Sequence, residues 1–244
     1  MYQFAFTIDF DWASDDVLQY ALKAIFDSNI PITLFSTHNS EWISQIVQKK
    51  ENVEIEIHPN FCKNSSHGDS LQKVFDYCET IYSEKIGFRC HRYYNSNDIQ
   101  EHYKQIGYKY SSNICTDLQC VKPFYNRVGL MEIPIFMEDG GFMYQKHTLC
   151  LSEITKNIPD DTSHTLVFLF HPMHIAFNSN NFHDMKVLKQ NLKTNEYQNI
   201  NTSFIEKRKN QSYGIQNLFE DLFNWSEQFA IKKVLMKNIY EEYK

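Results

Sequence analysis

The sequence contains 244 residues, of which 42% are hydrophobic, and its formal net charge is −6. This length suits one α/β barrel or, less well, two small domains. No dense block of lysine and arginine occurs, which argues against a nucleic-acid binder. The apolar runs are much shorter than a bilayer span, so no membrane span is predicted. The six cysteines form no C-x-x-C pair and are expected to be reduced thiols.

Strand-like and helix-like segments alternate through the first 175 residues. The predicted strands are 4–8, 32–36, 53–57, 86–88, 108–111, 132–136 and 165–170. The predicted helices begin near Asp15, Ser40, Ser70 and Asn97. Apolar residues recur at helical spacing in each of these helices. Parallel strands need a crossover between neighbours, so this α/β alternation predicts a distorted (β/α) barrel of about six or seven parallel strands.

The remainder of the chain differs in composition from this barrel core of residues 1–175. Residues 176–212 are polar and rich in asparagine, and we expect a covering loop or lid there. Apolar residues return at helical spacing in 213–244, which predicts a C-terminal helix. No repeat or linker divides the sequence, so residues 1–244 are predicted to form a single domain.

Four of the predicted strands end at residues that can bind a metal ion or move a proton. These residues are Asp9 and Asp11, His58, Arg89 and His91, and His171. The carboxyl ends of the strands of an α/β barrel rim one shared cavity, so we expect these side chains to converge. Four such strand ends together favour a metal-assisted hydrolytic site.

Asp9 and Asp11 are two residues apart, and on a strand their side chains point to the same side. Two neighbouring carboxylates repel each other unless a cation or a shared proton relieves them. A metal ion beside one carboxylate would leave the other ionised as a base. The alternative is that Asp11 or Ser14 only caps the following helix, but capping does not explain Asp9 on an apolar strand.

The three other strand ends supply complementary chemistry. An imidazole at His58 beside Asp11 suits zinc or another first-row divalent ion, although a lone histidine is more often structural. His171 can deliver a proton near neutral pH. His174 either assists it or lies in a surface turn. Arg89 either holds Asp9 ionised or forms a purely structural ion pair.

The order of these residues resembles the polysaccharide deacetylase family, also called the NodB-homology or carbohydrate esterase 4 family. Thr7-Ile8-Asp9-Phe10-Asp11 resembles its first motif, and His58-Pro59-Asn60-Phe61 stands at the place of its metal-binding histidine motif. Phe88-Arg89 resembles its arginine motif, and Phe170-His171-Pro172 its late catalytic histidine. The resemblance covers residues 2–175 and is closer to a divergent branch associated with bacterial surface-polysaccharide gene clusters.

The resemblance implies hydrolysis of an N- or O-acyl group, acetyl first, from a sugar of a surface polysaccharide or its precursor. By position, Asp9 becomes the general base, Arg89 its partner and His171 the general acid. Asp11 and His58 become ligands of a divalent metal, with zinc the first choice. The remaining candidates are His91 and His38 as further ligands, ahead of Cys62 at the place of the family's second histidine, and Trp12, Asn60, Phe61, Tyr93 and His174 as substrate contacts.

Three functional hypotheses stay open at this point. The first is this metal-dependent deacylase, the second a hydrolase of small amides or cyclic imides on the same fold. The third is a catalytically silent sugar-binding domain in polysaccharide assembly. The sequence begins with a strand and shows no signal peptide, so we expect a cytoplasmic protein. Its expected partner is an acylated sugar, nucleotide-sugar or lipid-linked oligosaccharide.

Overall fold

A computed structural model describes residues 2–82, 85–159, 164–190 and 194–244. The strands are β1 (Gln3–Asp9), β2 (Ile32–Ser36), β3 (Val53–Ile57), β4 (Gly87–Phe88), β5 (Tyr110–Ser111), β6 (Phe124–Tyr125), β7 (Met131–Glu132), β8 (Met137–Glu138), β9 (Thr165–Phe170) and β10 (Lys232–Lys233). The α-helices are α1 (Asp15–Asp27), α2 (Glu41–Val47), α3 (Leu71–Glu79), α4 (Asn97–Gln105), α5 (Asp139–Tyr144), α6 (Leu151–Thr155), α7 (Pro172–Ala176), α8 (Phe182–Gln190), α9 (Thr202–Arg208), α10 (Ile215–Gln228) and α11 (Met236–Tyr243). Two 3₁₀ turns cover His91–Tyr93 and Thr194–Asn199.

The strands form one curled sheet in the order β6-β7-β5-β4-β3-β2-β1-β9-β8, and β10 pairs with the start of β1. Within the described residues every pairing is parallel except that of β6 with β7. Residues 133–136 run directly from β7 to β8 at the far edge of the sheet, and a parallel bridge joins Cys115 to Ile135 on the way. The predicted distorted (β/α) barrel is therefore confirmed.

Serine caps and apolar faces explain the helices that flank the sheet. The Ser14 hydroxyl accepts the backbone N–H of Val17 at the start of α1, and Ser40 and Ser70 cap α2 and α3 in the same way. The apolar side chains of α1 pack against the outer face of β1 and β2 in the main core. The residues buried in that part of the core include Val17, Leu18, Leu22, Ile25, Phe26, Phe4, Phe6 and Ile8.

The inner face of the curled sheet carries polar side chains beside a second apolar cluster, which contains Ala5, Phe35, Val167 and Leu169. Alternate residues of a strand point to opposite faces, so Glu54 and Glu56 of β3 point inward while Val53 and Ile55 join the outer core. Tyr110 donates a hydrogen bond from its hydroxyl to Glu54 at 3.2 Å. The interior therefore combines this apolar cluster with the buried, hydrogen-bonded carboxylates of β3.

The region after α7 differs from the predicted polar loop and single helix. Residues 176–212 contain α8, α9 and a 3₁₀ turn, because scattered apolar residues such as Met185, Ile200 and Ile205 are buried against the core. Residues 213–244 form two helices separated by β10, since Ala230, with φ 50°, ends the first helical segment. None of the helices in the described parts of the chain has the length and hydrophobicity needed to span a bilayer.

Candidate active site

The carboxyl ends of β1, β3, β8 and β9 open into a cavity of about 720 Å³. Its lining contains seven of the residues that the sequence nominates, together with six that it does not. The lining residues are Asp9, Asp11, His58, His91, Arg92, Tyr93, Glu138, Gly140, His171, His174, Phe182, Met185 and Lys186. The strand ends therefore converge as the alternation of strands and helices predicts.

Three donor atoms meet at one point of this cavity. Asp11 Oδ1 lies 3.3 Å from His58 Nε2 and 2.9 Å from His91 Nδ1. The two nitrogens lie 3.3 Å apart. Ligand atoms bound at about 2.0–2.1 Å around a tetrahedral zinc ion are separated by about 3.3 Å, and nitrogen with carboxylate oxygen is a donor set that zinc prefers. The three residues fit a divalent metal in both spacing and chemistry.

Local backbone geometry produces this meeting point. Asp11 has φ 45°, so the chain turns sharply as it leaves β1, and the N–H of Trp12 binds Thr37 Oγ1 at 3.1 Å. His58 directly follows β3, and its N–H donates to the carbonyl of Ser36 at 2.8 Å. Burial raises the pKa of Asp11, but the neighbouring histidines outweigh that effect and hold this pKa well below its usual value.

Asp9 lies beside this donor group and is bound from behind by Arg89. The fully buried guanidinium donates from Nη1 to Asp9 Oδ1 at 2.8 Å and to Thr7 Oγ1 at 3.0 Å. Its remaining donors bind the carbonyl and the hydroxyl of Ser112. Asp9 Oδ2 lies 3.6 Å from His58 Nδ1. One carboxylate oxygen is thus fixed by Arg89, and the other faces the ring of His58, one of the three donor residues.

His171 approaches the donor group from the end of β9, the strand beside β1, with its Nε2 3.8 Å from Asp11 Oδ2. Its Nδ1 lies 2.6 Å from Asp139 Oδ1, and its backbone N–H donates to Asp139 Oδ2 at 2.8 Å. Burial lowers the pKa of His171, but Asp139, Asp11 and Glu138 together raise it to about 10. Asp139 thus favours the protonated form of the imidazole and holds the ring in one orientation.

Two acidic residues of the site were missed by the sequence interpretation. Asp139 follows β8, and it obeys the same strand-end rule as the residues that were found. The predicted strand ended at Phe136, so Asp139, three residues later, was not recognised as a strand-end residue. Glu138 accepts a hydrogen bond from the Tyr93 hydroxyl at 3.0 Å, and burial raises the pKa of its carboxyl group.

Not all of the nominated residues reach the cavity. The Trp12 ring packs edge-on against His91 with 5.0 Å between ring centroids. Asn60 is buried, and its side-chain oxygen accepts the N–H of Cys62. Phe61 and Cys62 instead line a separate cavity of about 430 Å³. Cys62 is therefore not among the three converging donors.

The two remaining histidine candidates differ in position. His38 packs against Phe10, and its Nδ1 lies 2.9 Å from Thr37 Oγ1, outside the three-donor group. His174 is buried and lines the cavity 5.5 Å from His171, between ring centroids. Asp139, His171 and His174 also have donor atoms close enough to share a cation. Both oxygens of Asp139 already contact His171, which favours an acid–base pair at this second position.

Comparisons with known proteins agree with this picture. The family model described as WbmS-like polysaccharide deacetylase matches residues 6–189. A crystal structure of a candidate polysaccharide deacetylase involved in O-antigen biosynthesis, from Bordetella bronchiseptica, superposes with a TM-score of 0.75 at 19% identity, over 91% of this chain and 90% of that chain. A 4-α-glucanotransferase from Thermococcus litoralis superposes with a TM-score of 0.52 at 10% identity, over 100% of this chain and 40% of that one. No curated protein matches the sequence.

Proposed function

The chain belongs to the WbmS-like polysaccharide deacetylase family, and on this basis we propose that it hydrolyses an N- or O-acyl group, acetyl first, on a sugar of a surface polysaccharide or its precursor. The observation that carries this proposal is the arrangement of the cavity. Two proton-handling pairs, Asp9 with Arg89 and His171 with Asp139, lie beside one three-donor group, the first near His58 and the second near Asp11. Hydrolysis of an amide or ester needs such a division between a base and an acid.

We propose zinc as the ion that Asp11, His58 and His91 hold. When bound, a divalent cation would polarise the acyl carbonyl and lower the pKa of an attacking water. Asp9 takes the proton of that water, because Arg89 binds only its Oδ1 and Oδ2 faces His58 inside the cavity. The ion pair of Asp9 with Arg89, buried at the end of β1, thus fixes the position of the general base.

His171 supplies the second proton transfer. Its protonated imidazole donates from Nε2 to the departing amine or alcohol, while Asp139 binds Nδ1 and fixes the tautomer and the ring orientation. Asp139 is fully buried, so this pair is shielded from bulk solvent on the side away from the cavity. His171 follows β9 and Asp9 ends β1, so the acid has a carboxylate as its partner and the base has a guanidinium.

The test is acetate release by zinc-loaded protein from a panel of acylated substrates. The panel contains N- and O-acetylated oligosaccharides, an N-acetylated nucleotide-sugar and a small amide. We expect turnover of at least one acetylated sugar, lost after chelation and restored by zinc. Cleavage of the small amide alone would overturn the sugar assignment, and failure to turn over any of the panel while still binding a sugar would favour the non-catalytic alternative.

A further inference from the structure

We propose that the outer wall of the active-site cavity binds an anionic group, a phosphate or a carboxylate, carried by the substrate. Arg92 and Lys186 form this anion subsite. The inference rests on the proposed function for the nature of the acylated sugar and adds a charged substituent to it. Neither residue belongs to the acid, the base or the three-donor group.

Arg92 reaches the cavity through an unusual turn. Arg92 has φ 55° and ψ 25°, and Tyr93 also has φ 55°, so two successive non-glycine residues lie in the left-handed region. Such backbone conformations cost free energy and cluster at functional sites. The turn allows His91, Arg92 and Tyr93 all to line the cavity, whereas neighbours on a regular strand point apart. Hydrogen bonds from the N–H of His91 to Pro59 and of Tyr93 to Cys90 hold it.

The cation of Arg92 is available for a ligand. Its side chain is exposed, and no hydrogen bond or ion pair joins it to another described residue. Two other arginines have acidic partners, because Arg89 binds Asp9 and Arg127 binds Glu101. An unpaired guanidinium at the edge of a cavity presents a planar fork that matches phosphate and carboxylate oxygens.

Lys186 presents a second cation from α8, the helix inside the segment expected to be a lid. It is exposed, lines the same cavity, and has no ion pair within the described residues. Phe182 and Met185 of the same helix line the cavity beside it. This wall therefore combines positive charge with an apolar surface.

The charge balance of the cavity gives these two cations a function. The carboxylates of its lining already have partners, since Asp9 binds Arg89, Asp11 contacts His58 and His91, and Glu138 accepts from Tyr93, whereas Arg92 and Lys186 have no ionic partner among the described residues. Cations on the outer wall place an anion at a distance from these carboxylates and attract it toward a protein of net charge −6. A neutral sugar would need no such pair. The geometry points to a substrate with its acyl group inside and its anionic group outside.

The first test measures binding with calorimetry on the zinc-loaded protein. The probes are UDP, inorganic phosphate and glucuronate, with uridine and methyl glucoside as neutral partners. The variant is Arg92→Gln with Lys186→Gln, and the matched control is Arg208→Gln with Lys207→Gln, which removes the same charges from α9 outside the cavity. We expect the dissociation constant of an anionic probe to rise about 10- to 100-fold in the variant, as for loss of one or two charge-assisted hydrogen bonds.

Comparison of the probes identifies the source of the anion. A larger effect on UDP and phosphate indicates a phosphate-linked sugar, and a larger effect on glucuronate indicates an acidic sugar. Equal affinity of variant and wild type for every anionic probe would overturn the proposal, because the anions would then bind the zinc ion instead. An equal loss in the control variant would also overturn it, since the effect would come from net charge alone.

The second test measures the ratio of kcat/KM for an anionic and a neutral acetylated sugar, and this ratio should fall in the cavity variant only. The binding test does not depend on turnover. If the wild type binds the anions through Arg92 and Lys186 but releases no acetate, the proposed function fails while the subsite stands. If it deacetylates sugars without any preference for charge, the subsite fails while the function stands.

Discussion

Asp9 divides its two carboxylate oxygens between Arg89 and the neighbourhood of His58. We expect Asp9→Asn to keep the fold, because the amide oxygen can still accept from Arg89 Nη1. Turnover should fall about 10²- to 10⁴-fold, the usual loss for a general base. Elemental analysis, melting and kcat on this variant check the expectation. Metal lost together with activity would make Asp9 a ligand, and a lower Tm with full activity of the folded fraction would leave it a structural role.

The histidine candidates for the metal can be separated by a matched pair of variants. His91→Ala removes one of the three converging donors, so we expect zinc content to fall well below that of the wild type. His38 follows β2 and contacts Phe10 and Thr37 instead of the three donors. His38→Ala should therefore retain zinc. Elemental analysis after dialysis decides between them. Full zinc content in His91→Ala would exclude His91 from the site.

Asp139 is expected to set the pH range over which His171 acts. The raised pKa of His171, about 10, means that its proton is present through neutral pH and is lost as the pH rises toward that value. Asp139→Asn removes the largest favourable charge, so the falling limb of kcat against pH should move to lower pH. Glu138→Gln removes a smaller contribution and should move it less. An unchanged falling limb in Asp139→Asn would show that His171 does not limit the rate there.

At the scale of the elements, the strand-end rule located most of the site from sequence alone. It predicted that Asp9, Asp11, His58 and His171 would line one cavity, because long apolar runs fix β1, β3 and β9. It missed Asp139 because residues 133–136 read as one strand, whereas they bridge β7 and β8 across the sheet. The pairings of β7 with β5 and of β8 with β9 join residues distant in sequence, so the local pattern of apolar residues does not reveal them.

The choice between His91 and His38 was also beyond the sequence. Both follow a strand, and spacing alone treats them equally. The left-handed turn at Arg92 and Tyr93 directs His91 toward Asp11, and non-glycine residues give no warning of such a conformation. The helices in 176–212 were missed for a related reason, since their burial depends on isolated apolar residues such as Ile205 and not on a periodic face.

Strand β4 offers a test of how tightly the sheet is packed. A Cβ atom added at Gly87 would lie 2.1 to 2.6 Å from atoms of the buried Tyr110 side chain on the neighbouring strand β5. We expect Gly87→Ala to lower the free energy of unfolding by about 1–3 kcal/mol or more, as overpacking does. Urea unfolding measures it. Tyr110→Phe, which keeps the ring and loses only the hydrogen bond to Glu54, is the milder control, and an unchanged Gly87→Ala protein would contradict the close packing.

At the scale of the whole molecule, the two ends of the barrel have different roles. The carboxyl ends of the strands form the active-site cavity, whereas α11 covers the opposite end. The N–H of Met236 donates to Thr33 Oγ1 at 3.0 Å, and the N–H of Lys237 donates to Glu54 Oε1 at 3.1 Å. A carboxylate at the start of a helix is a favourable partner for its unpaired N–H groups. The C-terminal helix thus closes this end of the barrel, and its Met236 and Ile239 pack in the second apolar cluster.

This closed interior makes stability depend on pH through Glu56. Burial, and next the charge of Glu54, raise the pKa of Glu56 well above its usual value, although its carboxylate accepts the N–H groups of Ile86 and Gly87. Between its unfolded and folded pKa values the folded protein binds more protons than the unfolded chain. Stability therefore falls as the pH rises through that window.

Glu56→Gln imitates the protonated carboxyl, because its side-chain oxygen still accepts the two N–H groups and its amide can donate to Glu54. We expect urea unfolding at about pH 5 and about pH 8 to show a smaller loss of stability in this variant than in the wild type, and greater stability than the wild type at the higher pH. Glu206→Gln, on the exposed face of α9, should behave like the wild type at both. A wild-type dependence on pH that persists unchanged in Glu56→Gln would mean that Glu56 is ionised in the folded protein, with the interior stabilising both carboxylates of β3.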